Sequence, residues 1–248
     1  MSTFQGIYTN YVGEYESRGQ SGKLWKDCPG GDLALDLNRG YLFIDDFKDL
    51  PTGKYTATQA TAGTFALSDE EGGVALADCN STTATQGINV QLGSTVGEFA
   101  ATQTAGKLWF EARVKASDIA TGPEFFCGLS AIDTSVIAAS ANSSTDHIGF
   151  ESVSDDGVLL FHTENGGSRT SSTATLHTLT DGEYVKLGFR VTNQSKIEVY
   201  VNGEKKDTLT TNICTALMVP TLVCQSGGTT DPIVGIDWWS VAVEQSAS

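Results

Sequence analysis

The chain has 248 residues, 30 of them Asp or Glu and 15 Lys or Arg, for a formal charge of −15. That balance disfavours nucleic acid and anionic membranes as partners, because both need a basic face to meet their negative charge. No apolar run approaches the ~20 residues that cross a bilayer, and the opening MSTFQGIYTN has neither a basic nor an apolar signal region, so a soluble chain that is not exported by the usual route is expected. At this length the chain could be one large β domain or two small ones; it buries roughly 70–75% of its unfolded surface and needs no staples to fold. The five cysteines, Cys28, Cys79, Cys127, Cys214 and Cys224, are an odd set with no C-x-x-C pair. Small buried thiols in a reducing compartment are expected rather than a disulfide framework.

Residues 1–40 are polar and Gly-rich, with aromatics that follow neither a helical nor a strand period. The segment reads as an arm that docks on something, and Phe4, Tyr8, Tyr11, Tyr15 and Trp25 are its candidate interface anchors. From GYLFIDDF onward the text turns into short β-rich stretches bounded by turn residues. Strands are predicted at 41–44, 54–58, 64–67, 74–77, 88–92, 107–116, 124–131, 147–153, 158–162, 184–191, 196–201, 217–224 and 233–243. In KLWFEARVKA the residues Leu108, Phe110, Ala112 and Val114 face inward while Trp109, Glu111, Arg113 and Lys115 face outward. EYVKLGFRV repeats the pattern with Val185, Leu187, Phe189 and Val191 inward. SKIEVYVNGEKKDTL reads as a hairpin about Asn202-Gly203, two residues that accept the positive φ of a primed turn. No stretch holds a helical period over three turns, and no internal repeat points to a propeller or β-helix.

The order of the later segments carries a resemblance. KLWFEARVKAS, EFFCGLSAID, HIGFES, the DGEYVKLGFRVTNQSKIEVYVNGEKKDTL run, PTLVCQSG and the closing VGIDWWSVAVEQ together resemble the concanavalin A-like, laminin-G-type jelly roll. Asp181-Gly182, Tyr200 to Gly203 and Asp237-Trp238 stand at that family's motif positions. The resemblance implies an all-β, two-sheet antiparallel jelly-roll sandwich over residues 41–248, with residues 1–40 as an extended N-terminal arm. It is specific to fold and not to function.

Two functional branches of the resemblance can be checked against the residues. The hydrolase branch sets acidic residues on alternate positions of one strand, E-x-D-x-x-E, so that two carboxyls share a cleft. No such strand occurs; Asp45-Asp46, Asp69-Glu70-Glu71 and Asp155-Asp156 are adjacent pairs or runs at strand ends and read as solvated turns. No catalytic residue, metal or cofactor is therefore expected. The lectin branch uses loop oxygens, often on Ca²⁺, and the loop AIDTSVIAASANSSTDHIGF offers Asp133, Asn142, Asp146 and His147 as a candidate glycan site. His162 and His177 read as ordinary strand or loop histidines. Trp238-Trp239 puts one indole in the core and the other outside, where it is either a glycan platform or an interface anchor.

The jelly roll is also similar to domains on tailed-phage heads and tails, which are made in the host cytoplasm without a signal. Acidity, free cysteines and an arm ahead of one β domain fit that setting. The expectation is a non-enzymatic capsid decoration protein of the virion that forms a homo-oligomer and holds capsid or other virion proteins together, with no nucleic acid or membrane partner. The alternative is a carbohydrate-binding, lectin-like module with a glycan partner on a tail or fibre.

Overall fold

The computed structural model describes residues 18–59, 63–93, 99–100, 106–118, 123–134, 137–138, 141–142, 145–152 and 157–245. Among them the strands number β1 to β18 in chain order. The first sheet holds β1 (Gly40–Asp45), β3 (Thr64–Leu67), β4 (Ala75–Asp78), β6 (Lys107–Ala116), β14 (Val185–Thr192), β15 (Lys196–Val201), β16 (Glu204–Leu209) and β18 (Ile233–Glu244). Its order is β16-β15-β14-β6-β18-β4-β3, with β1 continuing beside the second half of β18. The second sheet runs β12 (Ser168–Ser171), β11 (Val158–Asn165), β10 (His147–Ser152), β7 (Pro123–Ser130), β17 (Val219–Ser226), β5 (Gly87–Leu92) and β2 (Tyr55–Gln59), and β13 (His177–Thr178) pairs with β11. A two-residue ladder joins β8 (Ile137–Ala138) to β9 (Ala141–Asn142). Strand neighbours within both sheets are antiparallel, so the expected two-sheet sandwich is what forms.

Alternation explains the core. Leu108, Phe110, Ala112 and Val114 of β6, Val185 to Val191 at every second position of β14, and Ile197, Val199 and Val201 of β15 all enter the inter-sheet core. Phe189 is its hub: its ring stacks on Phe110 at 5.2 Å within the sheet and meets Phe161 of the other sheet edge-on at 5.4 Å. Phe189→Ala is expected to cost about 3–5 kcal/mol, through lost burial and the cavity left between the sheets. Lys186→Ala, on the opposite face of the same strand, should cost well under about 1 kcal/mol. Urea unfolding of the two variants checks the strand phase, and equal losses would contradict it. The β15–β16 hairpin turns on Asn202 at φ 50 and Gly203 at φ 76, the two positive angles of a primed turn.

The outer face of the first sheet is covered by the chain's own N-terminal part, which forms two short helices, α1 (Gly22–Trp25) and α2 (Gly30–Leu35). Leu24, Trp25 and Leu33 bury themselves against Trp109, Tyr200 and Ala242. Gly188 makes the approach possible, since a Cβ there would lie 2.5 Å from Leu24 Cδ2. Under this cover the Glu111 carboxylate is 1% exposed and accepts hydrogen bonds from the Ser21 N–H at 2.9 Å and the Trp25 indole N–H at 2.7 Å. Burial raises its pKa even against those donors. Trp25, expected to anchor a neighbour, is thus spent inside this chain; Phe4, Tyr8, Tyr11 and Tyr15 lie outside the described residues.

A bulge in β18 adds a second fastening. Ile236 pairs with Val114 and Trp238 with Arg113, leaving Asp237 as the extra residue. Its carboxylate, 1% exposed, meets Arg113 at 2.6 Å and Arg18 Nε at 3.0 Å, and the Trp238 indole N–H donates to the Arg18 carbonyl at 2.6 Å. Trp239 sits in the core, as its neighbour's outward placement requires.

Candidate functional site

The second sheet has the unusual outer face. In β7 the core side is Phe125, Cys127 and Leu129, so Glu124, Phe126, Gly128 and Ser130 point the other way. By the same alternation His147, Gly149 and Glu151 of β10, His162 and Glu164 of β11, Asn89 and Gln91 of β5, and Thr221, Val223 and Gln225 of β17 share this face. Most polar residues here are almost fully buried: Asn89, Glu124, Glu151, His162, Glu164 and Gln225 are each 6% exposed or less. Polar side chains hidden on a sheet's outer face are costly and call for an account.

Register places them around an apolar centre. Val223 stands opposite both Asn89 and Phe126, and Phe126 stands opposite Glu151, so these four form one row across four strands. The adjacent row on one side holds Gln225 opposite Glu124. On the other side it holds Gln91, Thr221, Gly128, Gly149 and His162. Gly149 is required by the packing, because a Cβ there would lie 2.6 Å from the Phe126 ring. The result is a buried Phe126/Val223 pair ringed by Asn89, Gln225, Glu124, Glu151 and His162. Among the described residues, Asn89 Oδ1, Gln225 Oε1 and His162 Nε2 are buried with no hydrogen-bond partner.

The charges of the ring act on one another. Burial lifts the Glu151 carboxyl to about 7; Arg169 opposes the rise, while Glu124 and Glu164 add to it. Burial lowers His162 to about 4, with Arg169 and His147 pushing the same way, and its Nδ1 shares a 2.8 Å hydrogen bond with the Ser171 hydroxyl. His162 Nε2 lies 3.8 Å from Glu151 Oε2, too far for a hydrogen bond. Near pH 6 the pair is therefore a protonated carboxyl beside a neutral imidazole. Arg169 Nε donates to Glu164 at 2.7 Å.

A strap of residues 131–134 closes one end. Asn89 Nδ2 donates to the Asp133 carbonyl at 2.7 Å, Gln91 Nε2 donates to the Ala131 carbonyl at 3.1 Å, and the Asp133 N–H returns a bond to Gln91 Oε1 at 3.1 Å. The Asp133 carboxylate accepts from the Thr145 hydroxyl. Among the described side chains, those of the expected loop site turn to different partners. Asp146 Oδ1 is turned to the Gly166 N–H at 2.6 Å, while His147 is fully buried with its ring 5.5 Å from that of Phe126. Asn142 falls in β9, and its side chain lies outside the described residues. Among the described residues no group of three or more His, Cys, Asp or Glu side chains is placed to hold a metal ion.

The sequence reading missed Glu124, Glu151, Glu164, Asn89 and Gln225, and took His162 as ordinary. It sought carboxyls on one strand, whereas here they come from three adjacent strands. The available signal was the alternation itself, which in PEFFCGLS, HIGFES and VLLFHTEN sets Glu or His on the face opposite Phe, Ile and Leu.

No family model matches the sequence, and no curated protein matches it. The fold is similar to a Bacillus licheniformis β-glucanase at 16% identity and a TM-score of 0.56, over 83% of this chain and 98% of that one. It is similar to a protein described among endo-acting O-glycanases with which human gut microbiota initiate mucin breakdown, at 14% identity and a TM-score of 0.55, over 80% and 97%. It is also similar to botulinum neurotoxin type C, reported to depend on interaction with two ganglioside molecules, at 10% identity and a TM-score of 0.55, over 82% and 48%. At these identities the likeness is one of fold, which is concanavalin A-like. These neighbours overturn the expected capsid decoration protein and the expectation that the chain is no enzyme: they cut or bind glycans, and nothing in them points to a virus particle.

Proposed function

We propose that the chain binds a hydroxyl-rich, uncharged glycan on the outer face of the second sheet. The observation that carries this reading is the ring of buried polar atoms about Phe126 and Val223, in which Asn89 Oδ1, Gln225 Oε1 and His162 Nε2 have no hydrogen-bond partner among the described residues. Sugar hydroxyls are the kind of group that supplies such hydrogen bonds. The acidic residues of this face and the formal charge of −15 weigh against uronates and sulfated chains by like-charge repulsion. Glycan-active structural neighbours of the same fold support the reading.

One observation favours a second reading, hydrolysis at the same site. Glu151 lies opposite Phe126 and Glu124 is two residues further along β7, a diagonal whose Cα atoms are roughly 7–8 Å apart. Glycoside hydrolysis uses carboxyl pairs about 5–9.5 Å apart, one of them protonated near neutral pH. The lift of Glu151 to about 7 suits it to donate a proton to a leaving oxygen, with Glu124 as the second carboxyl of the pair.

The test is titration calorimetry and a reducing-end assay against neutral glucans, galactans, mucin O-glycans and an alginate. Saturable binding to a neutral glycan is expected, weakened at least tenfold by Asn89→Ala with Gln225→Ala, with no binding to alginate. Reducing ends that appear with the parent and vanish in Glu124→Gln establish the second reading. No binding across the panel, or binding untouched by the double variant, overturns the site.

A further inference from the structure

The sulfurs of Cys79 and Cys224 are 3.2 Å apart, and both residues are fully buried. Packed apolar heavy atoms sit at best about 3.5–4.0 Å apart, so this pair is closer than filler. Cys79 follows β4 in the first sheet, Cys224 lies within β17 in the second, and the same carbonyl fixes both. The Cys79 N–H donates to Pro232 O at 3.2 Å, and the Cys224 thiol points to that oxygen at 3.4 Å. Neither side chain takes part in the glycan site. We infer that Cys79 and Cys224 are a disulfide-forming pair that staples the two sheets when the chain folds under oxidising conditions.

The chemistry is thiol–disulfide exchange with a small disulfide oxidant. One cysteine thiolate attacks the oxidant's sulfur and expels a thiolate. The second cysteine then attacks the mixed disulfide, forming the Cys79–Cys224 bond and expelling the second thiolate. The protein loses two protons and two electrons, and the oxidant becomes two thiols. In the folded chain both sulfurs are sealed and burial holds the Cys224 thiol protonated, so exchange proceeds during folding, before the sheets close. One bond leaves three thiols, of which Cys28 is the half-buried one.

The experiment refolds the reduced, urea-denatured full chain in buffer containing glutathione disulfide. Thiols are then trapped with N-ethylmaleimide in denaturant, and the digest is read by mass spectrometry. The expected product is one cross-linked peptide pair joining Cys79 to Cys224, with Cys28, Cys127 and Cys214 alkylated. The sequence separation of 145 residues makes the loop large, so the oxidised protein should melt roughly 5–15 °C above the same sample reduced by a phosphine. A Cys79→Ala/Cys224→Ala chain should show no oxidant-dependent shift. Five alkylated cysteines, a bond to any other cysteine, or a bond with no gain in melting temperature would each overturn the inference.

Discussion

At pH 8, Glu151→Gln is expected to melt roughly 5–10 °C above the parent while losing glycan affinity at least tenfold. The gain follows from the cost of charging a buried carboxyl. Glu151 titrates near 7 in the fold against an ordinary value of 4.5, because burial outweighs the pull of Arg169, with Glu124 and Glu164 adding to the rise. Between about pH 4.5 and 7 the folded chain keeps a proton that the unfolded chain has released, so stability falls as pH rises, by about 3 kcal/mol in all. Glutamine carries no charge and removes that fall. His162, lowered to about 4 by burial, acts in the opposite direction, losing stability as pH drops from about 6.5 through 4. It does so equally in both proteins, leaving the difference to Glu151. Thermal melts from pH 4.5 to 8 should therefore coincide at the acid end and separate steadily above it. A variant less stable than the parent at pH 8 would show that the carboxyl serves the fold. A residue that weakens the fold in order to serve a site is a familiar sign of function.

The second large effect lies on the opposite face. Trp25→Ala is expected to cost about 3–5 kcal/mol, as the loss of a fully packed indole does elsewhere. Trp25→Phe, which keeps an aromatic ring but removes the donor to Glu111, should cost about 1–3 kcal/mol. Urea midpoints for the two variants separate packing from hydrogen bonding. A loss below about 1 kcal/mol for the alanine variant would mean that the first sheet stands without its cover. Leu24, Trp25 and Leu33 shield Trp109 and Tyr200, and those aromatics would otherwise face water.

The strands were legible where alternation is long. The predicted bounds of β3, β6 and β15 match the structure, and most other predicted strands are off by only one to three residues at an end. What escaped has a common cause. α1 and α2 are four and six residues long, too short for a 3.6-residue period to show. β8, β9, β12 and β13 have two to four residues and owe their existence to a neighbour already in place. The candidate site was illegible for a deeper reason: Glu124, Glu151 and His162 are neighbours only because β7, β10 and β11 are ordered side by side, and strand order is not written in any one strand. A search along single strands could not find it. Trp25 was misread in the same way, since an aromatic without period looks alike whether it docks on its own sheet or on a stranger's.

The position of β18 bears on how the protein is made. This strand joins β6 on one side to β4 and β1 on the other, and its counterpart β17 joins β7 to β5 in the second sheet. Both linking strands come after residue 218, so as synthesis proceeds β1, β4, β5, β6 and β7 emerge with a flank still unmatched. Neither sheet can close on the ribosome until residues 219–244 have left the exit tunnel, and the whole sandwich then assembles at once from contacts distant in sequence, a slow order of events. A nascent chain stalled before that point exposes open strand edges to its neighbours, so rapid completion or a chaperone's cover during translation is part of what this topology demands of the cell.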